Sequence, residues 1–301
     1  MDALVLAIMA GTALLTATGP GGSSLNHLIE EIEQSTAHES PKGRIAAMLA
    51  AYHAYFPEVA SQADCSTTAS GQLKERFAAT AHIARYVADE RWLTRMRCLH
   101  PQMKDAFPED ETADRALQDL LIATRHFDEA HTLSKRISRR SRALPEIFDQ
   151  QRQAPGLLVP TDAGRLQWKP WRPSRGWHVV AMVHPLCGFS RRALEAMTTK
   201  DEWSELRDHL QLVVQREPRW SGEPEVRAWN VKNPDLPMAF QANAVGWEEL
   251  DSYETPVFHI MHNGEMISTI VGWRHEGEPL AAAWAQAQKR DDIALDAAPS
   301  Y

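Results

Sequence analysis

The stretch that decides the fold is Trp177-His178-Val179-Val180-Ala181-Met182-Val183-His184-Pro185-Leu186-Cys187-Gly188-Phe189-Ser190. Its first half, from Trp177 to Val183, is short, apolar and rich in β-branched residues, the signature of a strand buried on both faces. Pro185 cannot sit in the middle of such a strand. Beyond it, Phe189, Ala193, Leu194 and Met197 recur at helical spacing. The segment therefore reads as a strand, a tight turn and a helix, with Cys187 at the entry to the helix.

The same grammar continues downstream. Leu210–Val214 reads as a second strand. A long polar stretch follows, with helical potential near Pro237–Leu250. Val257–Met261 and Met266–Val271 read as two strands joined at Asn263-Gly264, the strongest short hairpin signal. Leu280–Lys289 closes the pattern as an alanine-rich helix.

A strand-helix-strand unit, a helix, a hairpin and a last helix resemble the thioredoxin superfamily in order. Three features coincide: a buried strand ending in His184-Pro185-Leu186-Cys187-Gly188-Phe189-Ser190, a Thr255-Pro256 pair before a later strand, and a hairpin ending in Val271-Gly272-Trp273. An α/β thioredoxin-like domain is expected over 177–301. In that family the proline after the threonine-like position is cis and lies beside the reactive sulfur. The resemblance implies the same of Pro256, and makes Thr255 and Pro256 the substrate-binding positions.

A cysteine at a helix N-terminus faces unpaired backbone N–H groups and the positive end of the dipole, both of which favour thiolate over thiol. A free cysteine is only about 3 % thiolate at pH 7. Each pKa unit removed is worth about 1.4 kcal/mol. Arg191, Arg192 and a protonated His184 would add to the effect. Ser190 occupies the second cysteine position of the usual CxxC. It can hydrogen-bond the Cys187 sulfur but cannot resolve a mixed disulfide. The expected catalytic pair is thus Cys187 and Ser190 in a monothiol thiol–disulfide oxidoreductase. Its partners would be protein or glutathione thiols and disulfides.

The tetrad Cys187-Gly188-Phe189-Ser190 also resembles the monothiol glutaredoxins, which hold a [2Fe–2S] cluster with glutathione. Those proteins carry a lysine shortly before the motif, and Val179–Val183 has none. Their Gly-Gly-x-Asp element is replaced by Val271-Gly272-Trp273-Arg274. No cofactor is therefore expected, and an iron–sulfur carrier stands behind the redox reading. The other rival is a non-catalytic scaffold, in which both halves bind protein partners and the sulfur is inert. His259 and His262, three positions apart on a strand, point to opposite faces, so no metal is expected there.

Residues 25–150 read as helical: Leu25, Leu28, Ile29 and Ile32, then Phe77, Ala81, Ala84 and Ala88, keep helical spacing. Phe56–Ala60, Asp89–Leu93 and Arg125–Ala130 resemble the starts of second helices in tetratricopeptide repeats. A generic helical bundle is the competing description. Such a half would offer a surface for a protein partner. Residues 151–176 read as a connector punctuated by Pro155, Pro160, Pro170 and Pro173, with a short strand near Gly164–Trp168. Trp168, Trp171 and Trp177 around it read as packing anchors.

Residues 1–24 read as a signal peptide and linker. Ala3–Ala17 is almost wholly apolar, and Gly19–Ser24 follows. The run is short for a membrane span and suits a signal-peptide core, although Asp2 replaces the usual basic start. A short anchor in contact with a membrane, or a buried first helix, are the other readings. Export to an oxidising space such as the periplasm is expected, with the cytoplasm as the alternative. In an oxidising space Cys65 and Cys98 would be free to bridge, a link worth about 3–4 kcal/mol. The net charge of −8 argues against a nucleic-acid surface. The basic run Ser138–Arg142 reads as the solvated end of a helix.

Overall fold

Val179, Val180, Ala181, Met182 and Val183 are each fully buried in the strand Trp177–Val183. Successive side chains go to opposite faces, and each face meets its own core. Val179, Ala181 and Val183 pack in the larger core with Leu194, Met197, Leu212 and Phe258. Val180 and Met182 pack in a smaller one with Val213, Trp247, Val257 and Met261. This strand, β4, is the fourth of eight in the computed structural model, which describes residues 24–37, 40–56, 70–137, 143–161, 164–173, 175–217, 219–250 and 254–296.

The helices of the first half are α1 (Leu25–Ser35), α2 (Pro41–Tyr55), α3 (Ser70–Ala84), α4 (Glu90–Ala106), α5 (Glu111–Ala123) and α6 (Phe127–Ser134). Ser24, Ser40, Asp89 and Asp110 cap four of them with side-chain oxygens. Consecutive helices pair as α1 with α2, α3 with α4 and α5 with α6, while α3 also touches both α1 and α5. Asp89 and His126 are the N-cap residues of α4 and α6. Phe56 starts no helix: it is the C-cap of α2. The helical reading also ran too far, because Glu146–Phe148 forms a strand, β1. Ser138–Arg142, Cys65 and the apolar segment Ala3–Ala17 lie outside the described residues.

The second half adds β2 (Gly156–Pro160), β3 (Arg165–Pro170), α7 (Gly188–Thr199), α8 (Ser204–Asp208), β5 (Leu210–Val214), α9 (Glu223–Lys232), β6 (Met238–Gln241), β7 (Val257–His262), β8 (Glu265–Val271) and α10 (Glu278–Asp296). The sheet order is β1-β3-β2-β6-β5-β4-β7-β8. β4 and β5 run parallel, while β7 is antiparallel to β4 and β8 to β7. With α7 crossing from β4 to β5 and α10 closing the chain, the C-terminal half is an α/β thioredoxin-like fold preceded by an all-α region. Asn263 and Gly264 both take positive φ, 51° and 87°, as a two-residue hairpin of the I′ kind requires.

Two elements depart from the sequence reading. The expected helix near Pro237–Leu250 is absent, and the helix lies earlier, as α9. Met238–Gln241 instead adds a strand beside β5. The segment read as a connector is built into the sheet: β2 and β3 form an antiparallel ribbon, and β2 pairs with β6. Pro160 and Pro170 are the last residues of these strands, where a missing N–H is tolerated. Trp168 and Trp171 are buried there. Trp177 stacks on His262 with ring centres 4.3 Å apart.

The two halves share one continuous core. Phe127 meets Trp220 edge to face at 5.0 Å, and Trp220 lies 4.5 Å from Phe240. Arg125, fully buried at positive φ, donates from Nε to the Gln241 carbonyl at 3.3 Å and sits 4.9 Å over the Trp220 ring. Arg216, just past β5, donates to the Ala88 carbonyl of the helical half.

Candidate functional site

β4 delivers His184 and Pro185 at its C-terminal end, and the chain turns at once into α7. Cys187 is the N-cap residue of that helix, in extended backbone geometry, with its N–H bonded to the His184 carbonyl at 3.0 Å. One face of α7 buries Ser190, Ala193, Leu194 and Met197, so the register that seats the helix also fixes the sulfur at its open end. Cys187 is a partly exposed free thiol. Leu186 and Phe189 on either side are exposed, at 51 % and 54 %, and form an apolar rim.

The Cys187 Sγ donates to the Thr255 carbonyl at 3.3 Å, and the Thr255–Pro256 peptide bond is cis. Pro256 is buried. Ser190, also buried, accepts the His184 N–H at its Oγ at 3.2 Å, which leaves its own proton for the sulfur. Burial pushes the Cys187 thiol up. Hydrogen bonds from the Thr255 side chain, the Ser190 and Phe189 N–H groups and the Ser190 hydroxyl outweigh this, and the thiol lies below its ordinary range. The carbonyl of Thr255 thus serves the neutral thiol, and the surrounding donors serve the thiolate.

A further pair stands beside the sulfur. His184 Nε2 lies 3.3 Å from Glu217 Oε2, an ion-pair contact without hydrogen-bond alignment. The nearby Glu217 carboxylate raises the His184 pKa against a smaller burial effect, and the charges of Cys187 and Glu225 add to it. Burial pushes the Glu217 carboxyl up, but the His184 ring beside it and the hydrogen bonds from Ser221 carry it below its ordinary range. Beyond Leu186 a groove of about 580 Å³ opens between α7 and α9, lined in part by Arg191, Leu194, Trp229, Lys232 and Met238.

All four residues singled out from the sequence, Cys187, Ser190, Thr255 and Pro256, lie in one place. A residue of this site that sequence reading missed is Glu217. Parallel strands side by side bring their C-terminal ends together, the usual place for a site in an open α/β sheet. Val183 of β4 is paired with Val214 of β5. A carboxylate three residues past Val214 was therefore the available signal. His259 and His262 do not meet at a site: His259 bonds the Leu250 carbonyl and the Thr269 hydroxyl, whereas His262 stacks on Trp177. Among the described residues, no group of three or more His, Cys, Asp or Glu side chains is placed to hold a metal ion.

No family model matches the chain, and no curated protein matches it. Among solved structures it is similar to the crystal structure of StoA from Bacillus subtilis, at 16 % identity and a TM-score of 0.29, over 42 % of this chain and 95 % of that one. It is also similar to the solution structure of a candidate thioredoxin from Neisseria meningitidis, at 19 % identity and a TM-score of 0.28, over 44 % and 90 % of the two chains. A thioredoxin-like protein from Bacteroides caccae aligns over 82 % of this chain and 90 % of that one, at 8 % identity and a TM-score of 0.26.

Proposed function

We propose that this protein carries out thiol–disulfide exchange through a single sulfur, Cys187. The observation that carries the reading is the thiol at the N-cap of α7, against the Thr255 carbonyl and surrounded by donors that favour its ionised form. The Cys187 thiolate attacks a disulfide R–S–S–R′. One S–S bond forms to the protein, one breaks, and R′–S⁻ leaves. Ser190 has no sulfur with which to release R, so a second thiol must do it, from glutathione or a partner protein. The exposed rim of Leu186 and Phe189 suits contact with a peptide around the attacked disulfide. The paired helices α1–α6 would position the partner. Cys98 is disulfide-bonded, which supports an oxidising compartment. Among the described residues, no helix is long and apolar enough to cross a membrane.

The test is alkylation of the native protein across pH, followed by intact and peptide mass spectrometry after exposure to glutathione disulfide. Cys187 should reach half-maximal rate below the free-cysteine value of about 8.5, and should take up one glutathione that dithiothreitol removes. Half-maximal rate at or above that value, with no adduct mapping to Cys187, would reject the enzyme reading and leave the scaffold.

A further inference from the structure

Glu217 is tied down more firmly than a surface carboxylate needs to be. Its Oε1 accepts both the Ser221 N–H at 3.1 Å and the Ser221 hydroxyl at 2.6 Å, leaving Oε2 to face His184 Nε2 at 3.3 Å. The segment that carries it is pressed onto the turn holding the thiol. Gly222 takes φ +73°, and a Cβ there would lie 2.7 Å from the Pro185 ring and 3.8 Å from His184 Cε1. The same segment is anchored behind by Trp220 against Phe127 and by Arg216 on the Ala88 carbonyl, so the helical half holds it in place.

The other face of the His184 ring is equally constrained. Nδ1 accepts the Leu186 N–H at 3.2 Å, within the turn that ends at Cys187. Two hydrogen bonds therefore belong to the neutral pair: Sγ–H to the Thr255 carbonyl, and the Leu186 N–H to an unprotonated Nδ1. Adding a proton to Nδ1 breaks the Leu186 bond and puts a charged N–H at that turn. A carboxylate 3.3 Å from Nε2 favours this form, because Nε2 carries a proton in both states and only the imidazolium gains the full ionic attraction.

We propose that Glu217 is a positioning residue for Cys187: held by Ser221, it fixes the His184 ring and keeps its imidazolium beside the sulfur, so that the thiol stays reactive in mild acid. The inference deepens the exchange reading and rests on it. Other charges bear on the pair. Glu225 from α9 acts on His184, and Arg125 from the helical half shares a buried field with Glu217 and Arg216. On α7 itself, Arg192 lies over the Phe189 ring at 4.5 Å. None of these lies at ion-pair distance from the His184 ring among the described residues, so Glu217 has the leading effect.

The experiment is alkylation of Cys187 by neutral iodoacetamide between pH 5.5 and 9, on the full chain. In Glu217→Gln the amide oxygen keeps the Ser221 bonds, while the charge and the oxygen facing His184 Nε2 are lost. The rate at pH 6 should fall about threefold relative to the rate at pH 9, the scale of one partly exposed charge pair. Glu217→Asp should recover part of the loss. His184→Gln should show the same loss alone, and adding Glu217→Gln to it should change nothing further. The His184 ring resonance, followed by NMR, should titrate at lower pH in Glu217→Gln than in the parent. An unchanged rate ratio in Glu217→Gln overturns the inference, as does an equal loss in the His184→Gln background. A parent protein whose Cys187 fails to react even at pH 9 instead overturns the exchange reading itself.

Discussion

On the proposed single-sulfur exchange, replacing Ser190 with cysteine is expected to turn a protein that stalls at the mixed disulfide into one that turns over. Ser190 sits in the first turn of α7, fully buried, with its hydroxyl in hydrogen-bond reach of the Cys187 sulfur. A sulfur there would attack the Cys187–S–S–R bond from within the same helix turn, form an intramolecular disulfide and expel R–S⁻. The parent must wait for an external thiol at millimolar concentration. An oriented intramolecular thiol has an effective concentration far above that, so insulin reduction driven by dithiothreitol should rise by about a hundredfold or more in Ser190→Cys. The variant keeps the N-cap geometry and the N–H donors, so alkylation of Cys187 in the fully reduced protein should change little. A Ser190→Cys protein that folds and alkylates normally at Cys187, yet turns over no faster than the parent, would refute the monothiol account. The missing second sulfur would then not be what limits it.

The legibility of this site has a physical pattern. β4, the turn and α7 could be read because their signals are local: an unbroken apolar run, a proline, then apolar residues at helical spacing from Phe189 to Met197. The hairpin at Asn263-Gly264 could be read because a type I′ turn needs positive φ at two successive positions, which those residues accept. β6 could not. Met238–Gln241 is short and set in polar sequence, and it is a strand because β5 and β2 offer it edges on both sides. That is pairing from distant sequence, which local propensity does not contain. Glu217 was hidden for the same reason. Its place three residues past β5 gains meaning only from the parallel register of β4 and β5, which carries it to His184. The residues proposed to do the chemistry were visible; the residue argued to hold them was not.

His259 carries the largest expected effect on stability. It is 3 % exposed in β7, with Nε2 at 3.1 Å from the Leu250 carbonyl and Nδ1 at 3.1 Å from the Thr269 hydroxyl. A carbonyl can only accept, so Nε2 bears the proton and Nδ1 accepts from Thr269: the site is built for the neutral ring. Burial drives its pKa down to about 4, against a smaller opposing effect of the Leu250 bond. An unfolded histidine titrates near 6.5. Above that pH the ring is neutral in both states, and no stability depends on its ionisation. As pH falls from about 6.5 to 4 the unfolded chain takes up a proton that the folded one refuses, and folding stability drops, by about 3 kcal/mol in full. Glu33, Glu90 and Glu217, whose carboxyls are held below their ordinary range, also cost stability in acid, while His184 acts in the opposite sense. Those contributions are common to the parent and to a variant at position 259, so they cancel in the difference. In His259→Gln the amide can donate to Leu250 and accept from Thr269 but cannot titrate. The variant should be the less stable protein at pH 7 because its fit is poorer. The gap should narrow by about 3 kcal/mol between pH 6.5 and 4, measured by urea unfolding. Stability curves for the two proteins that ran parallel through that interval would show that His259 ionises in the folded state as freely as in the unfolded one. The buried neutral ring would then be the wrong description of β7.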